Sequence, residues 1–447
     1  MIAGQLKRAF VKSGACLRQG KCREMKCVSP LIRVETLEGK IATGLCEGPF
    51  RGIAVPKPVL PATTSAVSQR SALVSPFIVM DVMTEAATIE RAGGSIVHME
   101  VGQPGHPAPR VAREAAAKAL AAGTVGYTEA LGIWPLRERI ARHYRDWYGV
   151  SVEPERVIVT TGSSGGFTLA FLSMFDPGQR VAISSPGYPA YRNILKALGL
   201  EVVEIPTGAD TRYALSGAAI AAAHAEKPLA GVLAMSPANP TGVVMTPEAI
   251  ADLSATCRRL GIAFISDEIY HGLTYERPAE TALRFDADTV IINSFSKFFC
   301  MTGWRVGWMV VPPPLVRPIE RLQQNLSISV PYLSQIAALA AFDGQEEMEQ
   351  VRQGYARNRA ILMQELPRLG LGRFLPIDGA FYVYTDVSAL SNDSMDFCRR
   401  AIREAGVAIT PGLDFDPENG HRFARLSFAG TEADMVEAVK RLRAWRG

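Results

Sequence analysis

The chain has 447 residues, 48% hydrophobic and 21% charged, the balance of an ordinary globular protein with room for two cored domains and not of a fibrous or disorder-dominated chain. No apolar run approaches the ~18 residues a membrane helix needs, and no apolar core follows the first charges, so a soluble, unsecreted, cytoplasmic protein is expected. The net charge of +4 comes from the first segment: residues 1–75 hold 12 Lys and Arg against 4 Asp and Glu, leaving 36 against 40 for the remainder, which removes any global electrostatic case for nucleic-acid or membrane partners.

Residues 1–75 show no sustained helical or strand period, and the proline-rich run Pro56 to Pro61 reads as a linker. The segment is a basic, disordered extension, a targeting peptide, or sequence from an upstream start codon; Glu24, Glu35 and Glu38 weaken the second. Four of the seven cysteines (Cys16, Cys22, Cys27, Cys46) fall here. They form no Cys-x-x-Cys pair, so incidental reduced thiols rank above zinc, and no metal site is expected.

From Phe77 to Ala92 apolar residues recur at helical spacing, and Ser95 to Val101 reads as a strand, followed by the sharp loop Gly102-Gln103-Pro104-Gly105. Helices are expected over Arg110–Ala122 and Trp134–Tyr148. Short apolar strands then alternate with helical segments: Arg156–Thr161, Arg180–Ser184, Leu200–Ile205, Leu229–Met235, Ala263–Asp267 and Thr289–Ser294. This alternation predicts an α/β fold with a mainly parallel sheet covered by helices on both faces. The C-terminal third changes to helices over Val330–Phe342 and Glu346–Leu369, strands at Ala380–Thr385 and Phe423–Phe428, and a closing helix from Glu432, a smaller α+β domain. The expected division is an extension at 1–75, small-domain parts at 76–125 and 326–447, and a large domain at 126–325.

Ligands of open parallel sheets bind beyond the strand C-termini, and that is where the chemically useful residues fall. After the first strand, Ser163 and Ser164 lie in Gly162-Ser163-Ser164-Gly165-Gly166 at a helix start, where free amides favour a phosphate. Tyr188 follows the second strand as a flat apolar platform, and Asn239 sits in Ser236-Pro237-Ala238-Asn239-Pro240-Thr241-Gly242. Asp267 ends a strand in an apolar setting that is costly without a positive partner, with Tyr270 three residues on. Lys297 follows the apolar run Thr289–Phe295 with no local carboxylate; its companions are hydroxyls, Ser294 among them, and Arg305. A desolvated lysine has a lowered pKa and can form a Schiff base with an aldehyde, and Arg305 offers a bidentate phosphate fork.

The stretch Ser294-Phe295-Ser296-Lys297, followed by Met301-Thr302-Gly303-Trp304-Arg305-Val306-Gly307, resembles the cofactor-lysine signature of the class I/II, fold type I pyridoxal-phosphate aminotransferases. The Asn239-Pro240-Thr241-Gly242 motif, the Asp267/Tyr270 pair and Arg425-Leu426-Ser427-Phe428 are similar to the same family, and the resemblance spans roughly residues 77–445. It implies pyridoxal 5'-phosphate bound to Lys297, with Asp267 at the pyridine nitrogen and Asn239 and Tyr270 at the phenolic oxygen. Tyr188 would stack on the ring, while Ser163, Ser164, Ser294 and Arg305 serve the phosphate. Arg425 would take the substrate carboxylate, with Gly102 and Asn239 beside it. Tyr127 would reach across a homodimer interface to the partner's phosphate. The implied activity is transfer of an amino group from an L-amino acid to a 2-oxo acid; a carbon–sulfur β-lyase on the same scaffold is the alternative, and a cofactor-sensing regulator is disfavoured by the complete set of chemical residues. One departure is Asp414-Phe415-Asp416-Pro417, where relatives more often carry Phe-Gly before the arginine strand.

Overall fold

The computed structural model describes residues 67–446; the rest of the basic extension, residues 1–66, lies outside the described residues. One helical turn, Gln69–Ala72, is capped by the Ser68 hydroxyl, which accepts from Ser71 N. It leads into α1 (Ile78–Arg91). The strand expected over Ser95–Val101 shrinks to β1 (Val97–His98). The backbone beyond it is spent elsewhere: the Glu100 carbonyl accepts from Arg425 and Thr410, and the Gly102 carbonyl from Lys297. Two helices expected from periodicity follow, α2 (Arg110–Ala121) and α3 (Trp134–Tyr148), the latter closed by Gly149 in the left-handed conformation.

The central sheet contains β2 (Val157–Thr160), β3 (Arg180–Ser185), β4 (Glu201–Pro206), β5 (Gly231–Met235), β6 (Ala263–Asp267), β7 (Val290–Ser294) and β8 (Gly307–Val310), in spatial order β2-β8-β7-β6-β5-β3-β4. Neighbours are parallel except β8, which runs against both β2 and β7. Sequence reasoning did not identify β8, because Gly307-Trp308-Met309-Val310 is too short to separate from the motif before it. Its pairing matters, since the Ser294–Gly307 register closes a hairpin and brings Lys297 and Arg305 into one loop.

Alternate residues of these strands enter two different cores. Val157, Val159, Ile291 and Val310 pack on one side of the sheet, and Ile158, Val290, Ile292 and Met309 on the other. Both faces are therefore buried, as their nearly unbroken aliphatic sequences require, and each side chain so buried contributes about 1.5–3 kcal/mol. The mainly parallel, helix-covered α/β sheet expected from the sequence is thus the architecture found. Helix α4 (Gly162–Met174) follows β2, and α5 (Pro189–Ala197) follows β3 with its proline at the first helical position, where no amide is missed.

A second sheet comes from the C-terminal region: β9 (Tyr382–Asp386), β11 (Thr410–Pro411) and β12 (Phe423–Ser427), in order β11-β12-β9 and antiparallel throughout, while β10 (Val407–Ala408) pairs with β1. The helices Gln345–Glu365 and Glu432–Arg446 complete this part. Among the described residues no helix is long and apolar enough to cross a membrane.

Candidate active site

The C-terminal ends of β3, β5, β6 and β7, the start of α4, the β7–β8 loop, the start of α1 and the edge of the second sheet surround one cavity of about 220 Å³. Lys297, Asp267, Tyr270, Asn239, Tyr188, Arg305, Arg425, Gly102, Ser163 and Ser164 all line it. They come from elements up to 323 residues apart in sequence, brought together because parallel strands end on one edge.

Lys297 Nζ donates to the Gly102 carbonyl at 2.6 Å and lies over the rings of Tyr270 and Phe381, 5.8 and 5.9 Å from their centroids. Burial, then the neighbouring guanidinium groups of Arg425 and Arg305, depress its pKa to about 8, against an ordinary 10.5. The amine thus sheds its proton far more readily than a surface lysine. Gly102 must be glycine: a Cβ there would stand 1.8 Å from the Tyr382 hydroxyl.

Asp267 is 1% exposed. Its carboxylate accepts from the Tyr191 hydroxyl and, at 3.0 Å, from Ile269 N. Burial pushes it up to about 7 although these bonds and Lys297 pull the other way. Such a group is completed by a cationic donor from the cavity side. Tyr270 bonds the Tyr382 hydroxyl at 2.6 Å, and burial, reinforced by Tyr382, keeps its phenol protonated.

Arg425, 4% exposed, is wedged between the rings of Tyr382 and Phe415, 4.5 and 4.6 Å from the two centroids. It donates to Asn239 Oδ1 at 2.9 Å and to the Glu100 carbonyl. Among the described residues its polar partners are Asn239, the Glu100 carbonyl and the Thr410 hydroxyl, none of them a carboxylate, and its Nε has no partner. A buried guanidinium without a counterion is poised for an anionic ligand. Because Asn239 spends its oxygen on Arg425, its Nδ2 is the donor left for the cavity.

Arg305 and the start of α4 line another part of the cavity. Gly162 opens α4 at φ +68°, and a Cβ there would lie 2.5 Å from the Arg305 guanidinium, so Arg305 lies directly against the helix N-terminus that Ser163 and Ser164 extend. Free amides, a helix dipole and a guanidinium converge there. Ser294 stands one layer back. Its hydroxyl donates to the Val306 carbonyl and accepts from Ser296 N, while Ser296 lines the cavity. Tyr127 is 82% exposed and does not line the cavity of its own chain. Tyr191, Tyr382 and Phe415 receive no role from the sequence, and Ser296 is read there only as a hydroxyl companion of Lys297. The Tyr188-Pro189-Ala190-Tyr191 spacing was the available signal for the first, since a helix beginning at Pro189 returns Tyr191 toward the sheet.

A doubly covered parallel sheet, a depressed-pKa lysine in a hairpin loop beyond it, and two guanidinium groups lining the same cavity define a fold type I enzyme built for amine chemistry. Residues 95–442 match the family described as aminotransferase class I and II. The chain is 48% identical over 376 residues to a valine–pyruvate aminotransferase of Mycobacterium tuberculosis, covering 83% of this chain and 96% of that one. The crystal structure of an aminotransferase from Mycobacterium tuberculosis matches with a TM-score of 0.83 at 48% identity, over 86% of this chain and 99% of that one. That of the Thermus thermophilus aspartate aminotransferase with maleate gives 0.81 at 31% identity, over 85% and 99%. The chain belongs to the class I and II aminotransferases and is an aminotransferase.

Proposed function

We propose that this aminotransferase works with pyridoxal 5'-phosphate and takes its amino group from a neutral aliphatic L-amino acid, passing it to a 2-oxo acid. The observation that carries the reading is a single cavity lined by Lys297 together with two separate guanidinium groups, those of Arg305 and Arg425. Arg305, Ser296 and the start of α4 suit a phosphate, and Arg425 suits an α-carboxylate. The residues fit the cofactor. Lys297 would hold its aldehyde carbon, Asp267 its ring nitrogen, Asn239 Nδ2 and Tyr270 its phenolic oxygen, and Tyr188 a ring face. Arg305, Ser163 and Ser164 would hold the phosphate, with Ser294 supporting Ser296 from behind. When bound, the cofactor supplies an electron sink for the pair left at the substrate Cα.

The chain's own groups do the rest. Arg425 grips the substrate carboxylate and orients Cα, and its stacking between two rings leaves the fork little freedom. Lys297 Nζ, neutral above about pH 8 in the free chain, takes and holds the Cα proton as general base. Asp267 stabilises positive charge beside it, and Tyr270 with Tyr382 holds a hydrogen bond that shifts with the charge.

For the donor's side chain the cavity offers Phe77, Val79, Met80 and Val101. The cations that line it among the described residues of one chain are Lys297, Arg305 and Arg425, each assigned to the cofactor or the α-carboxylate, so a side-chain carboxylate would find no further cation from its own chain. The name of the valine–pyruvate relative supports the same choice. The test is an amino-donor screen on the cofactor-loaded protein, following cofactor absorbance. Valine and its neighbours in size should react at least tenfold faster than aspartate or glutamate. Preference for the dicarboxylates would overturn the substrate class, and release of ammonia with pyruvate would point to lyase chemistry.

The active form in this reading is a cytoplasmic homodimer in which Tyr127 serves the partner's phosphate site. Its support is the exposure of Tyr127 away from its own cavity, beside exposed Val125, Leu326 and Ile328. Lys297→Ala and Tyr127→Ala chains mixed under subunit exchange should form heterodimers with one intact site, so activity should rise above both parents. Demonstrated exchange with no such rise would place Tyr127 outside the partner's site.

A further inference from the structure

α1 reaches the cavity by its first turn, and its sequence supplies no cap for that turn. Phe77 stands at the N-cap position with an extended backbone and no side-chain hydrogen bond. The acceptor comes from 336 residues later: Asp414 Oδ1 accepts from Ile78 N at 3.0 Å, and Oδ2 from Val79 N at 3.3 Å. Asp414 itself does not touch the cavity. It lines a separate groove of about 580 Å³ on the other side of α1, with Ile78, Asp81, Val82 and Glu85, while Phe77, Val79 and Met80 line the active cavity. Its neighbour Phe415 stacks on Arg425 and accepts from Gly187 N at 3.0 Å, and Phe77 meets the Tyr188 ring edge-on at 6.0 Å. One short segment, Asp414-Phe415, therefore joins the apolar wall, the carboxylate arginine and the loop bearing Tyr188.

We propose that Asp414 is a specificity-determining positioning residue: by capping α1 from the loop before the arginine strand, it holds Phe77, Val79 and Met80 as the wall against which the donor's side chain packs. The cap is the hold on this turn because the rest of α1 is anchored independently. Ala86 packs with Ile402 and Ala408, joined by Val82 and Ile89, so loss of the Asp414 bonds frees the first turn without detaching the helix. A wall that yields cannot discriminate a methylene, since discrimination by apolar contact requires the contact to be held in place.

The inference rests on the neutral-donor reading and is tested apart from it. In the cofactor-loaded protein, kcat/KM is measured for L-valine and L-alanine with one fixed 2-oxo acid, in the wild type, Asp414→Ala and Asp414→Asn. Asp414 also feels the charge of Arg425, but both donors carry the same α-carboxylate, so any change at Arg425 cancels in the valine-to-alanine ratio. That ratio is expected to fall about tenfold in Asp414→Ala, through a higher KM for valine. Asp414→Asn, which keeps the shape and one acceptor, should lie between. Hydrogen exchange at the Ile78 and Val79 amides should accelerate in the same order. An unchanged ratio, or unchanged exchange at these two amides, overturns the role of Asp414. If Asp414→Ala does not fold, the same two readouts on Asp414→Asn decide. A wild-type enzyme that prefers aspartate to valine would instead overturn the donor class, whatever the variants do.

Discussion

Replacing Lys297 by alanine is expected to lower turnover by about 10⁴-fold, with the protein folded and able to hold the cofactor. Two separate tasks fall on the one amine. In the proposed reading it holds the cofactor's aldehyde carbon in the resting enzyme, and it moves the proton at the substrate Cα. No neighbour substitutes for it: Tyr270 and Tyr382 are phenols held protonated by burial, and a guanidinium such as that of Arg305 or Arg425 offers donors and no acceptor for the Cα proton. The groups that would hold the phosphate and the ring nitrogen are untouched by the substitution, so binding should persist while chemistry stops. Steady-state transfer from valine to pyruvate, read beside cofactor content, separates the two effects. Turnover within tenfold of wild type would remove Lys297 from the reaction.

Asp267→Ala is expected to cost about 10³-fold in kcat while the cofactor remains detectable. The carboxylate lies at the floor of the cavity with Tyr191 and the Ile269 amide fixing both oxygens. Burial raises its pKa to about 7 in the chain alone, so near neutral pH the bare carboxylate has lost its usual preference for ionisation. A cationic ring nitrogen in the cavity would restore that preference, with Asp267 as its ion-pair partner. With alanine in its place, such a nitrogen would face an apolar hole without the carboxylate that favours its protonated form. Asp267→Asn should be nearly as slow, because it keeps the shape and loses the charge. A rate within threefold of wild type in either variant would contradict this role, and pre-steady-state measurement of the donor half-reaction reads it without interference from product release.

What could be read from the sequence was whatever is encoded within a few residues. Asn239, Asp267 and Lys297 each follow an apolar run that ends in a β-strand, so period and position sufficed to bring them to one edge of one sheet. The same locality accounts for what was not legible. Tyr191 meets Asp267 across 76 residues, Tyr382 meets Tyr270 across 112, and Asp414 caps α1 across 336. None of these pairings is encoded in local spacing, because each depends on how elements distant in sequence are placed; the Tyr188–Tyr191 spacing turns Tyr191 toward the sheet without naming Asp267 as its partner. Ser294 illustrates the limit at short range. Both Ser294 and Ser296 belong to the motif, yet only the hairpin register with Gly307 turns Ser296 into the cavity and leaves Ser294 bonded to Val306. The aspartate at 414, conspicuous as a departure, acquires a physical meaning only once Ile78 and Val79 are seen to donate to it.

The most direct measurement is borohydride reduction of the purified, cofactor-loaded protein followed by peptide mass mapping. A covalent phosphopyridoxyl group is expected on the peptide carrying Lys297 and on no other lysine, and its formation should be abolished by prior incubation with an excess of the amino donor. Labelling of a different lysine, or no labelling of a protein that still transfers amino groups, would contradict the assignment of Lys297 and with it the chemistry built on the cavity.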